Sequence, residues 1–229
     1  MHERGKKLVM ALCVVALLVG TVLGTLAYFT DTDADTNTFV VGRVGLTLDE
    51  KDVDDSTDSV DRDQANEYHL LPGGVYEKDP TVTVTSGSAE AYVYMTVTVK
   101  NMDKLTTALS APEYYHNGVF LLQNLCDWQA DSDWTYAGHK NYTDDDVVYG
   151  EYRFVYKSTV NGANGDNQLP ALFTTITVPG EHITSDNIGN LAHVEILVNA
   201  YAVQADGFDS FDAAWKAAFG NDTENFTIQ

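Results

Sequence analysis

The side chains of this sequence that are best suited to a catalytic metal are its histidines, and their spacing argues against a zinc peptidase. Zinc peptidases usually carry two histidines one helical turn apart beside a glutamate, as in His-Glu-x-x-His. That motif is absent, and Glu181-His182 follows the helix-breaking pair Pro179-Gly180. A catalytic zinc site is therefore not expected, although histidines that are distant in sequence can converge in a fold. The histidines beyond residue 27 are His69, His116, His139, His182 and His193.

Nucleophilic catalysis has no better support in the sequence. The Gly-x-Ser-x-Gly motif is absent, and Cys126 has no local signature that pairs it with a histidine. Three leucines lie within five residues before Cys126, which predicts a small buried hydrophobic side chain instead of a reactive thiol. The sequence therefore predicts a protein that is not an enzyme.

Carboxylates make calcium the better metal candidate, because calcium prefers oxygen ligands. The stretch Asp31-Thr32-Asp33-Ala34-Asp35 begins like a calcium-binding loop, but Thr36 replaces the required glycine and Gly42 replaces the required glutamate. We interpret this stretch as a polar extended strand. No cofactor is predicted, and calcium remains an open alternative to ordinary acidic loops. Its weak candidate ligands are Asp49, Asp52, Asp54, Asp55, Asp144, Asp145 and Asp146.

The N-terminus has the pattern of an export signal. Three basic residues among the first seven precede an apolar run over residues 8–26, and the small residue Ala27 follows this run. A basic start, an apolar segment and a small residue at the break predict a signal peptide over 1–27, cleaved between Ala27 and Tyr28. A retained membrane anchor is the alternative, since residues 8–27 would reach ~30 Å as a helix. The predicted location is extracellular or at the cell surface.

A strong negative charge restricts the partners of the protein. The chain carries 13 Lys and Arg against 34 Asp and Glu, a formal charge of −21. Removal of residues 1–27 takes away three of the basic residues and one acidic residue, which leaves a charge of −23. Such a surface repels nucleic-acid phosphates, so no nucleic-acid partner is expected. Cys13 would leave with the signal, so no intrachain disulfide is predicted.

Alternation of apolar and polar residues after residue 40 predicts an all-β protein. Val93, Met95, Val97 and Val99 alternate with tyrosines and threonines, as half-buried strands require. Amphipathic helices are too few to cover such strands, which predicts a β-sandwich of two sheets. The same period-2 pattern recurs in residues 44–48, 147–157, 172–178 and 193–204.

A single helix is clearly indicated, near 210–219. Asp209 or Ser210 would cap its start and Gly220 would end it. Its aromatic residues Phe211, Trp215 and Phe219 recur every four residues and would therefore share one face. The predicted organisation is an extended segment 28–42 and a single domain 43–229, with an acidic loop 49–66 and an irregular or partly helical insertion 101–145.

Several motifs follow one another in a distinctive order. The junction Ala27-Tyr28-Phe29 leads into a Thr/Asp stretch, then Asn37-Thr38-Phe39, then Gly42-Arg43-Val44-Gly45-Leu46-Thr47-Leu48. Together with Leu71-Pro72-Gly73-Gly74 and segments 191–207 and 208–220, this order resembles the TasA/camelysin (CalY) family. Those proteins are exported by Gram-positive bacteria and depend on a SipW-type signal peptidase, which removes the signal. The resemblance implies a jelly-roll-like form of the β-sandwich.

The resemblance also implies a function, that of a secreted structural protein in a biofilm-matrix or surface fibre. Such subunits would associate with one another, and with other matrix proteins, by donating an N-terminal strand to a neighbouring sheet. The donor would be the segment 28–42, whose apolar anchors are Tyr28, Phe29, Phe39 and Val40.

Two alternatives come from other classes of protein. A camelysin-type extracellular metallo-endopeptidase is the first, because camelysin carries that label within the family. A secreted adhesin or binding module is the second, with an aromatic ligand surface in the 101–145 region. Burial of these aromatic residues beneath long loops is the competing interpretation. They are Tyr114, Tyr115, Trp128, Trp134 and Tyr136.

Overall fold

The computed structural model describes residues 30–33, 44–53, 62–63, 71–184 and 186–220. These residues form two α-helices, α1 (Met102–Ala108) and α2 (Phe211–Phe219), and short 3-10 helices at Pro112–Tyr114, Leu122–Asn124 and Ile188–His193. The strands are β1 (Thr30–Asp33), β2 (Leu46–Lys51), β3 (Arg62–Asp63), β4 (Val75–Glu77), β5 (Thr81–Val84), β6 (Ala91–Lys100), β7 (Tyr115–His116), β8 (Val119–Phe120), β9 (Trp134–Asp144), β10 (Val147–Tyr156), β11 (Asn167–Gln168), β12 (Thr175–Thr177) and β13 (Glu195–Gln204).

The larger sheet is antiparallel and has the strand order β1-β13-β6-β10-β9. Its central strand β6 alternates as expected, with Val93, Met95 and Val97 in one buried cluster and Tyr94 in another. Valine and tyrosine suit such strands because they pack well on a pleated surface. The all-β prediction is confirmed, since the described residues lie mostly in antiparallel strands and include only two α-helices.

A second sheet has the order β11-β5-β2-β3. Leu46 of β2 and Val82 and Val84 of β5 are buried in the same hydrophobic cluster as Val93 and Val97 of β6. One face of the five-stranded sheet is therefore covered by residues of the second sheet. The pairs β12-β4 and β7-β8 form two further ladders.

Helix α2 lies on the other face of the five-stranded sheet. Its start is capped as predicted, because the Ser210 hydroxyl accepts a hydrogen bond from the Ala213 amide at 3.2 Å. Trp215 is only 3% exposed, and its ring centroid lies 4.9 Å from that of Tyr94. Phe211 and Phe219 pack against the same cluster. The predicted helix, its cap and its apolar face are confirmed.

Helix α2 also covers Arg153, which the alternation of β10 assigns to the polar face of that strand. The side chain is only 2% exposed, because α2 lies over it. Its Nη2 donates to Asp212 Oδ1 at 3.1 Å, and its guanidinium carbon lies 4.9 Å from the Trp215 ring centroid. This burial could not be predicted from β10 alone, because a strand pattern does not show whether a later helix covers its outer face.

The prediction of an irregular or partly helical insertion over 101–145 is wrong over residues 134–144, which form a strand. The region contains α1 and the whole of β9, an 11-residue edge strand. A β-bulge interrupts the pairing at Ala137, and Gly138 beside it has a φ of 120°. Residues 141–144 beyond it are all exposed. The bulge and the exposed end remove the period-2 pattern on which strand prediction depends.

Several predictions concern residues outside the described part of the chain. They are the signal segment 1–27 with its cleavage site at Ala27 and Tyr28, the anchors Phe29, Phe39 and Val40, the candidate ligands Asp54 and Asp55, and His69. Of the predicted acidic loop 49–66, the structure describes residues 49–53 and 62–63, and the prediction is wrong at 49–51 and 62–63, which lie in β2 and β3. No helix in the described ranges is long and apolar enough to span a membrane.

Replacement of Trp215 by alanine tests the docking of α2. We expect Trp215→Ala to lower the free energy of unfolding by ~3–5 kcal/mol, because a buried aromatic side chain is lost and a cavity is left. Chemical denaturation followed by circular dichroism measures this change. Lys216→Ala, at an exposed position of the same helix, is the matched control and should change stability by no more than about 0.5 kcal/mol. Equal stability of the two variants would contradict the packing.

Candidate functional site

The first candidate site is the edge of the five-stranded sheet at which β1 pairs with β13. Thr30, Asp31, Thr32 and Asp33 are opposite Val203, Ala202, Tyr201 and Ala200, respectively. The predicted extended conformation is thus confirmed for these four residues, which belong to the proposed donor segment. Their register partners on the chain's own sheet could not be predicted, because pairing between distant segments leaves no local signal.

Strand β13 is held firmly by the rest of the fold. It pairs with β6 at ten positions but with β1 at only four. Ala200 and Ala202 are buried in the core between the sheets, while Val203 is buried in the cluster under α2. Tyr201 packs there too, with its ring centroid 5.4 Å from that of Trp215. Within the described residues, β13 is therefore anchored in the sheet through β6, and its other edge is paired with β1 over four positions.

The opposite edge of this sheet, β9, is less suited to accept a strand. It carries the bulge at Ala137, and its Lys140 pairs with Glu151 at 3.4 Å. Bulges and lysines at an edge both interfere with pairing to another chain. Between the two edges, the β1 side is therefore the better candidate for strand exchange.

Three of the candidate calcium ligands, Asp144, Asp145 and Asp146, lie in the turn between β9 and β10. Asp145 and Asp146 have φ values of 45° and 64°, and they connect Asp144 to its register partner Val147. A two-residue hairpin with two positive φ values is a type I′ turn, in which aspartate is a favoured residue. Turn geometry accounts for two of these aspartates without a metal.

Asp49 is engaged by a cation instead. The Arg62 side chain donates to Asp49 Oδ1 and, at 2.9 Å, to Asp79 Oδ2. Burial alone would lower the pKa of Arg62, but hydrogen bonds to both carboxylates raise it overall. A buried pair, Lys78 with Glu50, lies beside them. Arg62 and Lys78 thus neutralise carboxylates at this end of β2, while Asp52 remains half-buried.

The histidines of the described residues remain apart. His116 is exposed on β7, His193 ends a 3-10 helix, and His182 Nε2 lies 2.8 Å from Glu113 Oε1. His139 is mostly buried, which lowers its pKa, and its Nδ1 lies 3.1 Å from the Tyr136 hydroxyl. Within the ranges that the structure describes, no three His, Cys, Asp or Glu side chains form a group that could hold a metal.

Cys126 has the buried position that its leucine neighbours predict. It is 4% exposed, and burial raises the pKa of its thiol to about 12. The thiolate, which is the nucleophilic form, is therefore disfavoured at neutral pH. Since the folded-state pKa lies above the ordinary value of 9.0, the neutral thiol contributes stability below that pH, and this contribution is lost as the pH rises toward 12.

The aromatic residues of the 101–145 region are mostly core, and an aromatic pocket lies beside them. Trp134 and Tyr114 are 0% and 8% exposed. Trp128 and Tyr136 line a pocket of about 270 Å³ with three rings outside the predicted set. Two of these, Tyr152 and Phe154, are inward residues of β10; the third is Phe120. The alternation of β10 indicates their inward direction, but nothing in a sequence reports a void.

The chain matches no protein-family model, no curated protein and no solved structure.

The buried environment of Cys126 predicts that its thiol reacts slowly with disulfide reagents in the folded protein. In the folded protein of residues 28–229, Cys126 should react with an aromatic disulfide reagent at pH 8 at least about a hundredfold more slowly than in denaturant, because reaction requires local opening. Absorbance of the released thiolate measures the rate. The same protein in guanidinium chloride is the reference, and equal rates in both states would show that the thiol is accessible.

Proposed function

We propose that this protein is a secreted structural subunit of an extracellular matrix or surface fibre, which assembles by donor-strand addition. The pairing of Thr30–Asp33 with β13 at the edge of the five-stranded sheet carries the proposal. In the assembled state, the same register would be filled by the segment of a neighbouring subunit. Exchange of an identical element between copies needs no new type of contact.

The geometry of the edge supports such an exchange. A strand that leaves β13 exposes a row of unpaired amides and carbonyls, which a second chain can pair with. Each net backbone hydrogen bond contributes only ~0.5–1.5 kcal/mol, so four paired positions cannot make the intramolecular arrangement permanent. The segment Tyr28–Val40 contains no proline, so its amides remain available as donors in either arrangement.

The proposal also includes cleavage of the signal segment during export and a fold of two packed sheets. Cleavage after Ala27 by a SipW-type signal peptidase would free the donor segment outside the cell and so prevent assembly during synthesis. The fold we propose is a jelly-roll-like sandwich of two sheets. Its support is the common core that Leu46 and Val84 of one sheet share with Val93 and Val97 of the other.

Charge determines the conditions under which subunits associate. A formal charge of −23 on the processed chain opposes the approach of copies until salt screens it or acid neutralises the carboxylates. Assembly should therefore strengthen at high ionic strength and at low pH.

Deletion of the donor segment tests the mechanism. Residues 28–229 should form filaments at high salt or low pH, visible by electron microscopy, whereas a protein that lacks Tyr28–Val40 should remain a folded monomer under the same conditions. The reason is that only the longer protein can fill the edge of β13 in a neighbour. Identical filaments from both proteins, or no filaments from the longer one at high salt and low pH, would overturn the proposal.

A cysteine pair tests the register between subunits. Asp31→Cys with Ala202→Cys joins two opposite positions of β1 and β13, so oxidation of assembled protein should give ladders of covalent oligomers on a non-reducing gel. Asp31→Cys with Val198→Cys is the matched control. Its second cysteine lies four residues along β13, about 13 Å away, which is beyond disulfide reach. If the first pair gave crosslinks within single chains and no oligomers, β1 would stay on its own sheet, and the proposal would be wrong.

A further inference from the structure

The pocket between β9, β10 and the loop at 119–130 has a rigid aromatic wall. The ring centroid of Phe154 lies 5.0 Å from that of Trp128 and 5.7 Å from that of Tyr136. The Tyr152 hydroxyl donates to the Phe120 carbonyl at 2.9 Å, and the Trp128 Nε1 donates to the Trp134 carbonyl at 3.2 Å. These bonds and ring contacts hold the wall in place without a ligand, as expected of a preformed site.

The mouth of the pocket carries polar groups, whereas its interior is lined by aromatic rings. Gln123, Ala130 and Thr135 line it and are exposed, whereas Phe120, Trp128 and Phe154 are buried. Gln123 can donate and accept hydrogen bonds, and Thr135 adds a hydroxyl. A ligand would therefore meet apolar rings inside and polar groups only at its outer end.

The lining carries no charge. Its residues include no Asp, Glu, Lys, Arg or His, and burial raises the pKa of Tyr136 to about 12 and that of Tyr152 as well, so both phenols stay protonated. An anion that entered would lose its hydration without gaining a counter-charge, and a cation would gain only the weaker attraction of the ring faces in return. An anion would also be opposed by the net charge of −21. The lining thus favours a neutral ligand.

The volume and the rings set the size and shape of that ligand. A cavity of about 150 Å³ with apolar walls accommodates benzene, and this pocket measures about 270 Å³. Aromatic walls attract planar rings in offset-stacked or edge-to-face geometry. We propose that the pocket is a binding site for a neutral planar aromatic molecule of one or two rings, with a hydrogen-bonding group directed to the mouth. The site is independent of strand exchange at β13.

Titration with indole, observed through tryptophan side-chain N–H resonances, tests the site. The chain has three tryptophans, and only Trp128 lines the pocket, while Trp215 lies in the cluster under α2 on the other face of the sheet. Indole should shift the Trp128 resonance in a saturable manner and leave that of Trp215 unchanged. Choline and benzoate, a cation and an anion, should bind at least about tenfold more weakly than indole.

Variants separate the pocket from non-specific binding. Ala130→Phe fills the mouth from an exposed position and should weaken indole binding about tenfold or more by steric exclusion. Ala163→Phe places the same side chain at an exposed alanine outside the pocket and should bind indole as the parent does. Unsaturable shifts, equal affinity of the two variants, or tighter binding of choline than of indole would each overturn the proposal.

Discussion

Burial of β6 along both faces imposes the architecture of the molecule. All seven residues from Val93 to Val99 are buried, so each face of the strand requires its own covering. The second sheet supplies one covering through Leu46, Val82 and Val84. Helix α2 supplies the other through Trp215. The backbone of β6 is satisfied on both sides by β10 and β13, so the strand is the fixed centre on which the sheet edges depend.

The packing of α2 on the sheet has an electrostatic cost, because it buries the charge of Arg153. Burial lowers the pKa of this guanidinium, and the nearby Asp212 carboxylate acts in the opposite direction. The side chain nevertheless stays protonated, because arginine does not lose its proton in proteins. Its charge is offset by Asp212, the Ala137 carbonyl at 3.1 Å and the face of Trp215. An ion pair with a buried guanidinium is weak evidence for stability, but it requires α2 to lie where the half-exposed Asp212 can reach Arg153.

The parts of this structure that the sequence predicts are those with an uninterrupted local pattern. Strand β6 and helix α2 have regular periods and, for α2, a cap at Ser210, so both were predictable. The bulge at Ala137 interrupts the period of β9, and coverage of Arg153 depends on a helix 59 residues later. At the candidate sites, the extended form of Thr30–Asp33 could be predicted from its residues. Its register on β13 and the void beside Phe154 arise from distant contacts, which no local pattern reports.

The balance between pairing within one chain and pairing between chains depends on contacts other than the ladder itself. The hydrogen bonds of β1 with β13 are the same in both arrangements and therefore cancel. A short tether gives an effective concentration on the order of millimolar for the intramolecular strand, and 12 residues separate Asp33 from Leu46. Without further contacts, the intermolecular arrangement would prevail only above that subunit concentration.

Apolar anchor residues can lower the subunit concentration above which the intermolecular arrangement prevails. Full burial of one phenylalanine contributes about 1.5–3 kcal/mol, and each 1.4 kcal/mol is about a tenfold change in an equilibrium constant. If Phe29 and Phe39 are buried only between subunits, they together lower the threshold from millimolar to about the micromolar range or below. Screening of the −23 charge then acts on an equilibrium that is already close to balance, so modest changes in salt or pH suffice to switch it. In the proposed assembly, the ladder therefore sets the register, the phenylalanines set the affinity, and the acidic surface sets the conditions.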